Sequence, residues 1–354
     1  MPQIASRYKV AWHSSKIEAY LGGANIFPAC LELDLTAACN RNCPLCPSTT
    51  SQSTYSLDID FIEWLLSTLE GQTRGLLLTG GEPTMAPTFG RTLHLARHHG
   101  FSDIAVVTNG TLLGRKEVAE ALMAYASTIR ISLYDWTAES KAETTPVFQL
   151  MEDLRRQVDR TGSRLQIGVS VLTSQENAPG LSAITQRVGS AGAHWIYFHP
   201  LCIRWDVGAP ARVVQRGVLT ALEDLKRSQE DGLQVFTFPE RYIESEIEFR
   251  GYHAAHFLLV IGADGLNYLG AEVKYHRQHV ISDVAGYCHP RFLWTDERLA
   301  NIRSVESQNY PPLGSRHRGV LYSDLIEGLM REGKRNADRV LPLPGDDFVF
   351  PHIL

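Results

Sequence analysis

Between residues 30 and 200 the chain alternates short apolar runs with segments whose apolar residues recur at helical spacing. The runs fall at 30–35, 75–79, 104–108, 129–133, 165–172 and 195–199. A continuous apolar run of this length reads as a strand buried on both faces. The segments between them gather Phe61, Leu65, Leu66 and Leu69, then Leu93 and Leu95, then Val118, Leu122 and Tyr125, then Val147, Leu150, Leu154 and Val158 on successive helix faces. A further helix is expected over 178–191. Gly100 and Gly162 stand where two of these helices should end. Strands and helices in strict alternation call for a parallel sheet with helices packed outside it. In such sheets functional residues collect on the loops after the strands' C-terminal ends.

The pattern loosens after Pro200. Val218, Leu222 and Leu225 share one helix face, and a strand-like stretch follows at 233–238. Ala263-Asp264-Gly265 then separates two apolar runs, 256–261 and 266–270, and the Asp-Gly pair suits a tight hairpin turn. An amphipathic helix over 321–330 precedes a stretch holding Pro342, Pro344 and Pro351. These changes divide the chain into an N-terminal arm (1–29), a βα core (30–210), a connecting helix and strand (211–250) and an accessory region (251–354).

Composition narrows the function. With 44% hydrophobic and 21% charged residues the chain reads as an ordinary globular protein, and its net charge of −5 argues against a nucleic-acid partner. No apolar run approaches the roughly 18 residues of a membrane span. Arg7, Lys9, Lys16 and Glu18 interrupt the start of the chain, so no signal peptide is expected, and the reading is cytoplasmic, without a membrane partner. Six cysteines in a chain of 354 residues do not suggest a disulfide framework.

Three of those cysteines form one motif, Cys39-Asn40-Arg41-Asn42-Cys43-Pro44-Leu45-Cys46, directly after the first strand. Thiolates are the usual ligands of an iron–sulfur cluster. Three on one short loop would leave one iron of a cubane open to a ligand that is not a protein side chain. A structural zinc site is the other reading, although zinc usually pairs C-x2-C with a second pair or with histidines. One βα unit later, Gly80-Gly81-Glu82-Pro83 ends the second strand. By itself this is a glycine turn.

Together the C-x3-C-x2-C loop and Gly80–Pro83 resemble the radical S-adenosylmethionine (radical SAM) superfamily. The resemblance covers roughly residues 30–200 and implies a partial (β/α)6 parallel barrel with a small α+β accessory region. It implies that Cys39, Cys43 and Cys46 hold a [4Fe–4S] cluster whose fourth iron is chelated by the amino and carboxylate groups of S-adenosylmethionine. In that family an electron from the cluster cleaves the sulfonium to methionine and a 5′-deoxyadenosyl radical, which takes hydrogen from a substrate. The electron comes from an external donor of flavodoxin or ferredoxin type. By the same resemblance Gly80, Gly81, Glu82 and Pro83 bind the S-adenosylmethionine amine, with Leu45 (where the family most often has an aromatic) on the adenine. Asn109, Ser132, Ser170 and His199, at or near further strand ends, join them. Each of these also has a plain structural reading, as a turn or a backbone-bonded strand residue.

The hairpin at Asp264-Gly265 resembles the start of a SPASM or twitch extension. Where that extension carries cysteines for auxiliary clusters, this chain has Asn267-Tyr268-Leu269-Gly270-Ala271-Glu272. Only Cys30, Cys202 and Cys288 remain, widely separated, so no auxiliary cluster is expected. If 272–279 is extended, Glu272, Lys274 and His276 share one face and Tyr275 and Arg277 the other. Glu272, Lys274, His276 and Arg277, together with Tyr134 and Arg204, are the candidate pocket for a small polar or acidic substrate; a solvated polar loop is the alternative. Without a second cluster to accept an electron, decarboxylation, epimerisation, elimination or rearrangement is expected. Cys202 and Cys288 are the candidate hydrogen donors. The competing readings are a peptide-modifying maturase and a non-enzymatic iron–sulfur or zinc protein.

Overall fold

The computed structural model describes residues 4, 6, 8–43, 46, 54–133, 140–175, 177–200, 216–227, 232–238, 241–242, 247–284, 289–310, 318–332 and 348–354, leaving aside the side chains of 140–145, 216, 227 and 332. The arm carries α1 (Ser14–Leu21). The repeated unit then runs β1 (Cys30–Asp34), α2 (Ile59–Thr68), β2 (Gly75–Thr79), α3 (Phe89–His98), β3 (Asp103–Thr108), α4 (Lys116–Tyr125), β4 (Thr128–Leu133), α5 (Ser140–Thr161), β5 (Gln166–Thr173), α6 (Leu181–Ser190) and β6 (Trp195–Pro200). Every strand expected from the apolar runs is present. Local signals set the helix ends: the Asp58 side chain accepts from Phe61 N at 2.8 Å and starts α2. Gly162 takes φ +67° just after α5, a left-handed conformation that lets the chain turn back toward β5.

The parallel sheet is longer than six strands. After α7 (Arg216–Arg227), β7 (Gln234–Thr237) pairs in parallel with β6. At the other edge β8 (Leu258–Ile261) pairs in parallel with β1, and β9 (Leu266–Tyr268) and β10 (Val280–Asp283) follow antiparallel. The order is β10-β9-β8-β1-β2-β3-β4-β5-β6-β7, with β10 and β7 as its two ends. One sheet thus runs through the core, the connecting segment and the accessory hairpin. Two accessory helices, α8 (Asp296–Arg303) and α9 (Arg318–Glu332), follow; α8 starts on Thr295, whose hydroxyl accepts from Arg298 N.

Alternation along each strand separates two faces. Leu31, Leu33, Leu76, Leu78, Ile129, Ile131, Ile167 and Val169 pack with Leu65, Leu93, Leu122 and Leu154 of the helices in one continuous core. The alternate residues, Glu32 and Asp34 in β1, Arg130 and Ser132 in β4, Ser170 in β5, and Tyr197 and His199 in β6, occupy the opposite, interior face of the sheet. Register aligns Arg130, Gly168 and Trp195 in one rung and Ser132, Ser170 and Tyr197 in the next. The first rung fits only because Gly168 has no side chain: a Cβ there would lie 2.0 Å from the Trp195 ring.

Gly168→Ala should therefore cost about 1–3 kcal/mol by overpacking, read as a lower denaturant midpoint. Gly328→Ala in α9, where a Cβ meets nothing within 4 Å, should be neutral or stabilising by up to about 1 kcal/mol. Equal effects from the two would contradict this account of the rung.

Candidate cluster and cofactor site

The three loops after β1, β2 and β3 are joined into one surface. Loop 35–57 closes on itself through Leu57 N to Leu35 O (3.0 Å) and Ala37 N to Tyr55 O (2.9 Å), so the cysteines project from a pinned base. The Gly80-Gly81 turn is bonded directly to that base: Gly81 N donates to Thr36 O at 2.8 Å and Glu82 N to Ala38 O at 2.9 Å. Neither glycine can be replaced without separating the loops. A Cβ at Gly80, where φ is +131°, would lie 2.3 Å from Thr36 O, and one at Gly81 would lie 2.2 Å from Ala38 O.

Cys39 is exposed and Cys43 and Cys46 half-buried, none in a disulfide, and Cys46 N donates to Cys43 O at 3.1 Å. Cys30, in β1, is another matter. Burial pushes its thiol up to about 12, which keeps it protonated and inert. Asn109 connects the third loop to the motif: its amide donates to Asn40 Oδ1 at 2.8 Å and approaches Cys39 Sγ at 3.8 Å, while its oxygen accepts from Thr111.

Glu82 ties neighbouring loops together. Its carboxylate is fully buried and turned toward β3, accepting from Thr84 N, Thr84 Oγ1, Thr108 Oγ1 (2.7 Å) and Asn109 N (2.7 Å). Through these donors Glu82 joins the second loop to the third. Pro83 is buried as it opens a short 3-10 turn. Ser132 and Ser170 are buried and face each other in register across β4 and β5. His199 stacks on Tyr197 (centroids 5.4 Å apart, 17° between planes). Burial, then Arg241 and Arg130, hold its imidazole well below its usual range, so it is neutral at physiological pH. Leu45, Tyr134, Arg204, Cys202 and Cys288 lie outside the described residues.

The accessory segment does not form the extended, two-faced strand expected of 272–279. Residues Ala271–Val273 and Arg277–His279 are 3-10 turns, and the candidate residues point apart. Glu272 accepts from Tyr252 (2.8 Å) and Tyr310 (2.5 Å) among accessory aromatics. Lys274 instead reaches the interior face of β1, donating to Asp34 Oδ1 (2.7 Å), Glu32 Oε1 (3.0 Å) and Thr79 Oγ1 (3.1 Å). His276 is half-buried and Arg277 exposed. Tyr275 donates to Asp34 Oδ2 at 2.7 Å and holds an uncommon left-handed backbone, φ 67°. Arg318 completes the group, donating to Glu32 Oε2 at 2.6 Å. Burial alone would depress Lys274, but Asp34 and Glu32 outweigh it and raise its pKa. Burial likewise works against the Glu32 charge, and Lys274 and Arg318 prevail, lowering its pKa. Glu32 and Asp34 were legible as a pair, because two carboxylates two residues apart in an apolar strand share a face. Their partners, more than 200 residues away, were not.

Residues 33–166 match the model of the radical SAM superfamily. A segment of 86 residues is 31% identical to the 7,8-dihydro-6-hydroxymethylpterin dimethyltransferase of Methanocaldococcus jannaschii, covering 23% of this chain and 17% of that protein. The chain thus spans less than a fifth of that relative's length in the match. Among solved structures, SuiB of Streptococcus suis bound to S-adenosylmethionine superposes with a TM-score of 0.62 at 15% identity, over 82% of this chain and 72% of that one. The protein anSMEcpe with bound AdoMet and Kp18Cys peptide gives 0.58 at 12% identity, over 88% and 100%. At such identities the likeness is one of fold. The chain carries a radical S-adenosylmethionine domain, and its cofactors are those of the family: a [4Fe–4S] cluster and S-adenosylmethionine. The residues present fit them, with three thiols, none in a disulfide, on one pinned loop set against a side-chain-free glycine turn.

Gly81→Ala should push the two loops apart. Iron bound per chain after anaerobic reconstitution should fall severalfold while the far-ultraviolet circular dichroism stays native, and full iron loading would refute the loop contact. Lys274→Met takes the bonded lysine from Asp34 and leaves Glu32 with Arg318, and should cost roughly 3–5 kcal/mol in urea unfolding. Because the Glu32 pKa is lowered in the folded state, the stability it contributes in the parent chain is present above the unfolded carboxylate pKa and lost as pH falls through the folded one. The gap between parent and variant should narrow on acidification.

Proposed function

We propose that the chain is a radical SAM enzyme acting on a small polar or acidic metabolite such as a sugar or nucleoside derivative. The observation that carries this is the bonding of the cysteine loop to the Gly80-Gly81 turn, which sets three thiols beside exposed backbone. Cys39, Cys43 and Cys46 would hold the cluster. When bound, the cluster and S-adenosylmethionine supply a carbon-centred radical that removes a hydrogen atom from a C–H bond. The Gly80–Gly81 backbone, Asn109 and the Ser132–Ser170 pair are suited to orient the cofactor, and neutral His199 can give or take a hydrogen bond without adding charge. Lys274 and Tyr275, bonded to β1, fix the accessory region over the interior face and help to exclude water.

The remaining thiols, Cys30, Cys202 and Cys288, stand far apart in the sequence, and this supports a single cluster. Outcomes that return or retain the electron then follow: epimerisation, decarboxylation, elimination or rearrangement, with reduction from an external flavodoxin- or ferredoxin-type donor. A second reading, a peptide-modifying maturase, draws on structures of similar fold solved with peptides, SuiB with precursor peptide SuiA and anSMEcpe with Kp18Cys. The division into arm, core, connector and accessory region remains our proposal for the chain's organisation.

Anaerobically reconstituted protein, reduced with dithionite in the presence of S-adenosylmethionine, should release 5′-deoxyadenosine. Cys39→Ala, Cys43→Ala and Cys46→Ala should each lose it by at least about two orders of magnitude, together with the cluster's visible absorption. Iron loading without any 5′-deoxyadenosine, with metabolites or peptides present, would favour a non-enzymatic iron–sulfur protein.

A further inference from the structure

Asp34 and Thr79, the last residues of β1 and β2, are register partners, so their side chains share the interior face of the sheet. Asp34 leads into the cysteine loop and Thr79 into the glycine turn. The Thr79 hydroxyl donates to Asp34 Oδ1. Asp34 also lies against the turn itself, because a Cβ at Gly80 would be 3.4 Å from Asp34 Cβ. Thr36 O bonds the turn from the cysteine loop, and the Asp34–Thr79 pair holds its approach from β2.

The grip on that pair comes largely from the accessory region. Asp34 is wholly inaccessible to water. Lys274 Nζ donates to its Oδ1 at 2.7 Å and to Thr79 Oγ1 at 3.1 Å, and Tyr275 Oη donates to its Oδ2 at 2.7 Å. The Tyr275 phenol in turn accepts from Ala263 N at 3.3 Å, in the turn between β8 and β9. Burial, then Asp34, raise the phenol well above its usual range, so it stays a donor.

Two observations set this group apart from simple attachment. Attachment does not require it, since β8 already pairs with β1 from Cys30 to Leu33 and Arg318 bonds Glu32. Tyr275 also adopts φ 67°, a left-handed backbone that a bulky residue rarely takes. Such strain persists only where the surroundings impose it, and it collects at sites that hold functional groups in place. What Lys274 and Tyr275 add is a hold on the two strand ends that lead into the cofactor loops.

We propose that Asp34 is a positioning residue for S-adenosylmethionine, through which Tyr275 and Lys274 set the affinity of the Gly80–Gly81 turn for the cofactor. The effect passes through Thr79 to the turn's backbone and leaves the reacting atoms untouched. The inference rests on the reading of that backbone as a cofactor site, and cofactor binding can be measured apart from turnover.

The test measures S-adenosylmethionine binding by equilibrium dialysis against unreduced, anaerobically reconstituted holoprotein. The cofactor's KM for 5′-deoxyadenosine formation is then measured after dithionite reduction. Loss of one bond in this group should weaken binding about fivefold to tenfold in Tyr275→Phe and in Thr79→Val. KM should rise to match with kcat little changed, the pattern of lost uniform binding. Thr79→Ser, which keeps the hydroxyl, should bind like the parent. Tyr310→Phe removes a comparable phenol bond within the accessory region, to Glu272; it should lower the melting temperature and leave the dissociation constant unchanged. Iron content and circular dichroism report that each variant has folded. A dissociation constant unchanged in either Tyr275→Phe or Thr79→Val, or raised as much in Tyr310→Phe, overturns the inference and leaves Asp34 a purely structural carboxylate. Cofactor binding without 5′-deoxyadenosine formation counts against the enzyme reading, while the dissociation constants still decide the role of Asp34.

Discussion

Two carboxylates on the interior face of β1 set the terms for the rest of the molecule. Glu32 and Asp34 are nearly or wholly inaccessible to water, and an uncompensated buried charge costs several kcal/mol. Their compensation comes from Lys274 and Arg318, which belong to the accessory region, and from Tyr275 and Thr79. The core is therefore incomplete without the region that follows it. β8 expresses the same dependence in backbone terms, since it adds to the β1 edge and continues the parallel sheet.

A second constraint works through exclusion of side chains. The cysteine loop and the Gly80-Gly81 turn approach so closely that backbone meets backbone, and two amide-to-carbonyl bonds hold them. Glu82 extends this to the third loop by accepting from Thr84, Thr108 and Asn109. The strands deliver three loops to one edge, and the glycines and Glu82 make those loops a single surface. That surface brings backbone and thiol groups together.

The six strands of the core and the cysteine and glycine motifs were legible because each signal is local: an apolar run, a spacing, a turn. The segment 272–279 misled because alternation presupposes an extended backbone. Two 3-10 turns and the left-handed Tyr275 broke that assumption and sent Glu272 and Lys274 to different partners. Glu82 shows the same limit: its place in a motif is legible, and the donors of the neighbouring strand end from which its carboxylate accepts are not. β7 was visible as a strand-like stretch, but its place beside β6 depends on the sheet edge left open there.

By itself the sequence determined the alternating architecture, the three-thiol loop and the glycine turn one unit later. All are short-range, and periodicity and spacing suffice to define them. Tertiary structure alone decided which interior residues meet. Lys9, Arg130, Arg241 and Arg318 are scattered over more than 300 residues, and each by itself reads as an ordinary basic side chain. Only the curvature of the sheet and the return of the arm and α9 across its inner face bring them around one cavity. Electrostatic convergence of that kind depends on distances in space, which sequence separation does not encode.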